Sequence, residues 1–166
     1  MTTSLVVREL RAEDWPRVRS IYEDGIRSGN ATFETAAPSW DEWDAAHPDL
    51  RLFCERDSEV VGWVALSPES SRRCYRGVAE VSVYVAETAR GDGVGRSLLE
   101  RLVERSEQAG YWTLTAGVFP ENEASLRLHR AFGFRDVGVR ERVGEANGGW
   151  RDVVWLERRS NVVGAP

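Results

Sequence analysis

Seven consecutive residues, Arg90-Gly91-Asp92-Gly93-Val94-Gly95-Arg96, set three alternate glycines between two arginines. Backbone N–H groups at a helix start lack partners within the helix and carry partial positive charge, which suits a phosphate. Glycine lets the chain approach such a ligand closely, and Arg90 and Arg96 can add charge-assisted bonds. We read the segment as a pyrophosphate-gripping loop at a helix start; taken alone, these residues also allow a flexible turn. Two nucleotide loops are excluded. The third glycine of the dinucleotide motif G-x-G-x-x-G is missing, and a Walker loop needs a lysine, whereas all 22 basic residues of this chain are arginine.

The elements that must position the loop follow from periodicity. Leu5-Val6-Val7 predicts a first strand. Trp15, Val18, Ile21, Tyr22 and Ile26 recur at helical spacing after Asp14, with Gly25 and Gly29 weakening the far end. Residues 29–38 read as a loop carrying Phe33. A second, short helix starts at Ser39, with Glu42 in the capping-box position, and ends before Pro48. Strands are expected at 50–55 and 60–66, joined by a polar turn, and at 78–85 after a loop over 68–73. The helix over 95–109 carries the apolar stripe Leu98, Leu99, Leu102 and Val103. A strand at 112–118, a helix at 122–132 and strands at 134–143 and 150–156 complete the order. Seven strands and four helices in the order β-α-α-β-β-β-α-β-α-β-β predict one α/β domain over residues 1–158, with a mixed sheet. Residues 159–166 are expected to form a loose tail.

A second motif follows the glycine loop: Asn122-x-x-Ser125-x-x-Leu128-His129-x-x-x-Gly133-Phe134. With Arg90-x-x-Gly93-x-Gly95 behind a strand ending Val83-Tyr84-Val85, it resembles the GNAT superfamily of N-acetyltransferases, Ser125 and His129 standing at that family's Ala and Tyr places. Ala79-Glu80-x-Ser82-Val83-Tyr84-Val85, Arg127-Leu128-His129, Gly148-Gly149-Trp150-x-Asp152, Ile21-Tyr22, Phe33 and Arg72 ahead of Tyr75 narrow the resemblance to the phosphinothricin and methionine sulfoximine acetyltransferase branch. It covers roughly residues 5–157.

The resemblance implies the GNAT fold, acetyl-CoA as acyl donor, and a site. Glu80 would be the general base that frees an amine for attack on the thioester; on its own it reads equally as a strand glutamate facing solvent or pairing with an arginine. His129 would donate a proton to the leaving thiolate or hydrogen-bond its sulfur, against a purely structural helical histidine. Main-chain N–H groups along Val83, Tyr84 and Val85 would hold the acyl carbonyl and pantetheine. Arg90, Gly91, Asp92, Gly93, Val94, Gly95 and Arg96 would hold the pyrophosphate. Asn122 would bond the pantetheine arm beside Ser125, or cap its helix. Arg72, and less specifically Arg73, would bind acidic groups of the acceptor, with Phe33 and Tyr75 as apolar walls, core residues or dimer contacts. A homodimer is implied in the same way. His47, before Pro48, reads as structural.

Composition bounds the alternatives. A net charge of −5 argues against general nucleic-acid binding through a basic face. Absence of lysine excludes Schiff-base catalysis. Cys54 and Cys74 have no metal-ligand spacing and lie outside the motifs, so direct acetyl transfer without an acyl-enzyme or metal is expected. The early charge at Arg8 speaks against a signal peptide, and no apolar run approaches the roughly 18 residues of a membrane span. A cytoplasmic enzyme acting on a small amine is expected. The readings left open are another amine acceptor (antibiotic, polyamine or protein N-terminus) and a non-catalytic acyl-CoA-binding module.

Overall fold

The computed structural model describes residues 4–166. The chain runs β1 (Leu5–Glu9), α1 (Trp15–Ser28), α2 (Trp40–Ala46), β2 (Arg51–Arg56), β3 (Glu59–Pro68), β4 (Val78–Val85), α3 (Val94–Gln108), β5 (Thr113–Val118), α4 (Glu123–Ala131), β6 (Arg135–Ala146) and β7 (Gly149–Arg159). This is the expected order. Local chemistry sets the boundaries: Ser39 and Glu42 form the capping box of α2, and Gly29 stops α1 by taking a left-handed conformation at φ 68°. Among the described residues no helix is long and apolar enough to cross a membrane.

The strands form one sheet in the order β1-β2-β3-β4-β5-β7-β6. Every pair is antiparallel except β4–β5, whose parallel connection requires a crossover, supplied by α3. That parallel pair is short. Only Val78, Ala79 and Glu80 pair with Thr113, Leu114 and Thr115. Beyond it the strands part: β4 continues to Val85 along β3, and β5 continues to Val118 along β7. The sheet therefore opens into a V beyond Glu80.

Strand alternation covers both faces. Gly62 lies under Val94 and Leu98 of α3, while its neighbour Trp63 packs edge-on against Trp43 of α2 and Tyr22 of α1. Adjacent strand residues point to opposite faces, so α1 and α2 cover one side and α3 the other. The aromatic layer continues into the V, where Tyr84 stacks on Trp63 at 4.7 Å and meets Tyr22 edge-on at 4.9 Å.

Two expectations need correction. Strand β7 runs to Arg159, and the segment after it is tied down. The Arg159 guanidinium donates to the carbonyls of Trp112, Val163 and Gly164, and the buried Ser160 hydroxyl donates to Glu107. Arginine on the last strand supplies anchors that small-residue composition does not suggest. Strand β6 extends to Ala146 but is not regular: Arg140 pairs with Val153 and Gly144 with Arg151, so three residues of β6 oppose the single residue Asp152.

Candidate active site

Two cavities meet in the V. One, of about 590 Å³, runs over the glycine loop and is lined by Arg90, Gly91, Gly93, Val94, Gly95 and Arg96, with Val83, Tyr84 and Val85 of β4. The other, of about 490 Å³, lies toward the closed end of the V; its walls include Glu80, His129, Phe33, Phe119, Arg140 and Trp155. Ala31, Val83, Tyr84, Asn122 and Ser125 belong to both, so the cavities adjoin along β4 and the start of α4.

The edge of β4 that faces the V carries free backbone donors. Ala86 N–H donates to Val61 O on the β3 side. Alternation along an extended strand then turns the N–H groups of Val83 and Val85 to the opposite edge, where β5 has already departed. A bound carbonyl can accept from them.

At the loop, Gly91 and Gly93 both take φ 83°, a left-handed conformation, and a Cβ added at either would meet nothing within 4 Å. Their requirement is backbone conformation, not space. Gly95 differs: a Cβ there would lie 3.0 Å from Leu128, so its missing side chain lets α4 close on α3. Asp92 differs from the other loop residues. It is absent from the cavity wall, and its carboxylate pairs with Arg56 at 2.5 Å, which keeps a negative group off a phosphate site. Arg96 reaches the cavity with its guanidinium 5.4 Å from the Phe132 ring.

Glu80 stands at the last position of β4 that pairs with β5, opposite Thr115, with Ser67 of β3 on its other side. Burial, and then repulsion from the Glu69 carboxylate, raise its pKa above the ordinary carboxylate value, while Arg140 pulls it back. Glu69 is held nearby by the Thr115 hydroxyl, which donates to it at 2.7 Å. A carboxylate poised this way is a stronger base than a solvated one, and it remains ionised once the pH exceeds its raised pKa.

His129 is 2% exposed. Its Nδ1 lies 2.7 Å from the Ser125 carbonyl, which can only accept, so Nδ1 carries the proton. Nε2 then presents a lone pair, and it is buried without a partner among the described residues. Burial lowers the imidazole pKa below its usual value. The resting ring is thus a neutral acceptor: to protonate a leaving thiolate it must first take a proton at Nε2. An edge-on contact with Phe134 at 5.1 Å holds the ring.

Asn122 performs the structural role in full. Its Oδ1 accepts from Ser125 N–H as the α4 cap, and its Nδ2 donates to the Asn30 carbonyl. One amide hydrogen remains for a ligand. Arg151 braces the same loop by donating to Gly29 O, Asn30 Oδ1 and Glu121, with its guanidinium 3.8 Å above the Phe119 ring.

Of the acceptor-side residues expected from sequence, only Phe33 lines the cavity. Its ring meets Phe119 edge-on at 4.9 Å and occupies the space a Gly144 side chain would need. Arg72, Arg73 and Tyr75 line neither cavity; Arg72 instead sits 5.3 Å over the exposed Tyr75 ring. Arg73 and Tyr75 lie in a 3-10 turn that precedes β4. Sequence reasoning missed Arg140, Val143, Gly144, Val153 and Trp155, because their place depends on the β6 bulge and on pairing β7 between β5 and β6. The Asn147-Gly148 turn marks the hairpin but not its register.

Comparison with known proteins agrees with this architecture. Residues 7–134 match the acetyltransferase (GNAT) family. The chain is 38% identical to phosphinothricin N-acetyltransferase of Alcaligenes faecalis, covering 93% of this chain and 82% of the relative. It is 30% identical to L-methionine sulfoximine/L-methionine sulfone acetyltransferase of Pseudomonas aeruginosa, covering 93% and 94%. Among solved structures, the GNAT superfamily phosphinothricin acetyltransferase of Sinorhizobium meliloti in complex with AcCoA superposes with a TM-score of 0.89 at 29% identity, covering 100% of this chain and 92% of that one. The chain belongs to the acetyltransferase (GNAT) family and is an acyltransferase.

Proposed function

We propose that this protein transfers the acetyl group of acetyl-CoA directly to the amino group of a small amino-acid-like acceptor, of the phosphinothricin or methionine sulfoximine kind. The observation that carries the reading is the adjacency of two chemistries: a half-buried carboxylate with a raised pKa, Glu80, in a cavity that adjoins a cleft floored by helix-start N–H groups. The names of the relatives supply the acceptor class.

The glycine loop, Arg90 and Arg96 hold the donor's pyrophosphate. The remaining Asn122 amide hydrogen serves the pantetheine arm, and the Val83 and Val85 N–H groups polarise the thioester carbonyl. Glu80 takes a proton from the acceptor ammonium, directly or through water. The freed nitrogen lone pair forms the C–N bond, and the C–S bond breaks. His129 Nε2 accepts the second amine proton and passes it to the departing thiolate, so the relay ends with His129 neutral again. No metal and no cysteine nucleophile enters. Cys54 is buried and Cys74 lies outside both cavities.

The protein works in the cytoplasm as a homodimer, without nucleic-acid or membrane partners. Support for the dimer is strand β6, an unpaired sheet edge along which Val137 and Val139 are 47% and 57% exposed. Sedimentation of the wild type and of Val139→Arg checks it.

The test of function is thiol release from acetyl-CoA with methionine sulfoximine, phosphinothricin and unrelated amines, for wild type and Glu80→Gln. Turnover with the amino acids, lost in the variant, is the expected result. Acetyl-CoA binding without turnover on any amine identifies a binding module instead.

A further inference from the structure

The acceptor cavity carries both signs of charge. Glu34 and Glu80 supply carboxylates, and Arg140 is the cation on its wall. Three neighbouring arginines are already bound, Arg130 by Asp136, Arg135 by Glu157 and Arg151 by Glu121, and Arg142 is not on the cavity wall. Arg140, among the described residues, has neither an ion pair nor a side-chain hydrogen bond. Its guanidinium lies 5.8 Å from the Trp155 ring, itself a cavity wall. A planar ring can support the guanidinium while leaving its N–H fork free for an oxyanion.

The β6 bulge puts this arginine where it is. Val153 and Trp155 line the cavity from one face of β7, and Arg140 is the partner of Val153. Two extra residues on β6, inserted after Arg140, let the strand arch so that Val143 and Gly144 join the same wall. Arg142 takes φ 46° within the bulge, and its N–H is pinned by Asp152 Oδ1 at 2.8 Å. A bulge beside a site re-aims side chains in this way.

The geometry points to Arg140 as the residue that binds the acceptor's carboxylate, in place of Arg72 and Arg73. The assignment rests on the acetyl-transfer reading above and adds the anion contact to it. An acceptor that brings an ammonium to Glu80 and a carboxylate to Arg140 answers both charges of the cavity; a simple amine answers one. The same arginine is close enough to Glu80 to oppose the rise in its pKa, so the two groups share one electrostatic environment.

A cycle of enzyme and substrate changes tests this: wild type and Arg140→Gln, each with methionine sulfoximine and with its carboxamide, and Arg140→Lys and Arg72→Gln in parallel. A charge-assisted bond to a carboxylate corresponds to about a 10- to 100-fold change. Arg140→Gln is expected to lower kcat/KM by that factor with the carboxylate and by less than about threefold with the carboxamide, non-additivity being the signature of direct contact. Arg140→Lys is expected to restore part of the loss, and Arg72→Gln to change kcat/KM by less than about threefold. Equal losses with the two acceptors, or a loss in Arg72→Gln without one in Arg140→Gln, overturn the assignment while leaving the acetyl-transfer reading intact. A folded wild type that turns over no amine overturns both. Circular dichroism and acetyl-CoA affinity of each variant show whether a loss reflects misfolding.

Discussion

Replacing Glu80 by glutamine separates its chemical role from its structural cost. The acceptor amine lies between a peptide α-amine, with pKa about 8, and a lysine-like amine, with pKa about 10, so from about one in ten to about one in a thousand molecules is neutral at pH 7. A positioned base recovers this deficit, and its loss is expected to lower kcat at pH 7 by about 10²- to 10⁴-fold. The residual rate of Glu80→Gln should climb with pH through the amine's own titration, and the gap to wild type should narrow. Stability should move the other way. The Glu80 pKa is raised in the fold by burial and Glu69; the folded state therefore binds the proton more tightly than the unfolded chain. A favourable contribution is present below the unfolded carboxylate value and is lost as pH rises through the folded one, leaving ionised Glu80 a net cost at pH 7. Each pKa unit corresponds to about 1.4 kcal/mol, and about 1 kcal/mol moves the melting point of a domain this size by roughly 2–4 °C. Glutamine removes that cost, so Tm at pH 7 should rise while activity collapses. Stopped thiol assays from pH 6 to 9.5 and thermal melts at pH 7 and 4 read both effects. A variant with more than a third of wild-type kcat at pH 7, or one with lowered Tm at that pH, refutes the reasoning.

Further outcomes follow from the same geometry. Gly93→Ala forces a side chain into φ 83°, which costs roughly 1–2 kcal/mol; Tm should fall by several degrees and acetyl-CoA affinity should drop, as melting and calorimetric titration will show. Gly144→Val places a Cβ 2.7 Å from the Phe33 ring, and overpacking of this kind costs about 1–3 kcal/mol. Acceptor KM should rise about tenfold with little change in acetyl-CoA KM, measured by varying each substrate at saturating levels of the other. Burial holds the His129 pKa below its ordinary value, so its stabilising contribution is present above the unfolded histidine value and is lost as pH falls toward the folded one. His129→Phe should therefore lose less Tm than wild type between pH 7 and 5, with His47, lowered for the same reason, supplying the remaining acid sensitivity.

The fold is legible in the sequence because its signals are local. The capping box at Ser39, the glycine stop at Gly29 and the stripe of α3 each depend on residues within a few positions of one another. The donor half of the site is legible for the same reason, since loop and helix start are contiguous. Motif resemblance also carries Phe33, Glu80 and His129, all of which line the second cavity. The remainder depends on three-dimensional register. Arg140 reaches the cavity only through a bulge that no periodicity announces. Arg72 is favoured by its aligned position alone, which carries no information about where a turn points. The direction of the His129 proton depends on Nδ1 facing a carbonyl, a contact that no motif spells out.

The three residue pairs between β4 and β5 have a mechanical meaning. They make the sheet two plates, β1–β4 and β5–β7-β6, hinged along a short weld and bridged elsewhere by side chains such as Arg151. The donor cleft lies over the unwelded length. An occupant that touches Val85 on one plate and α4 on the other acts as a rivet, adding to cohesion by an amount set by its concentration over its dissociation constant. The molecule's resistance to coming apart at this seam is therefore metered by the acyl donor it consumes, and the moment after product departs is when the two plates are least firmly joined.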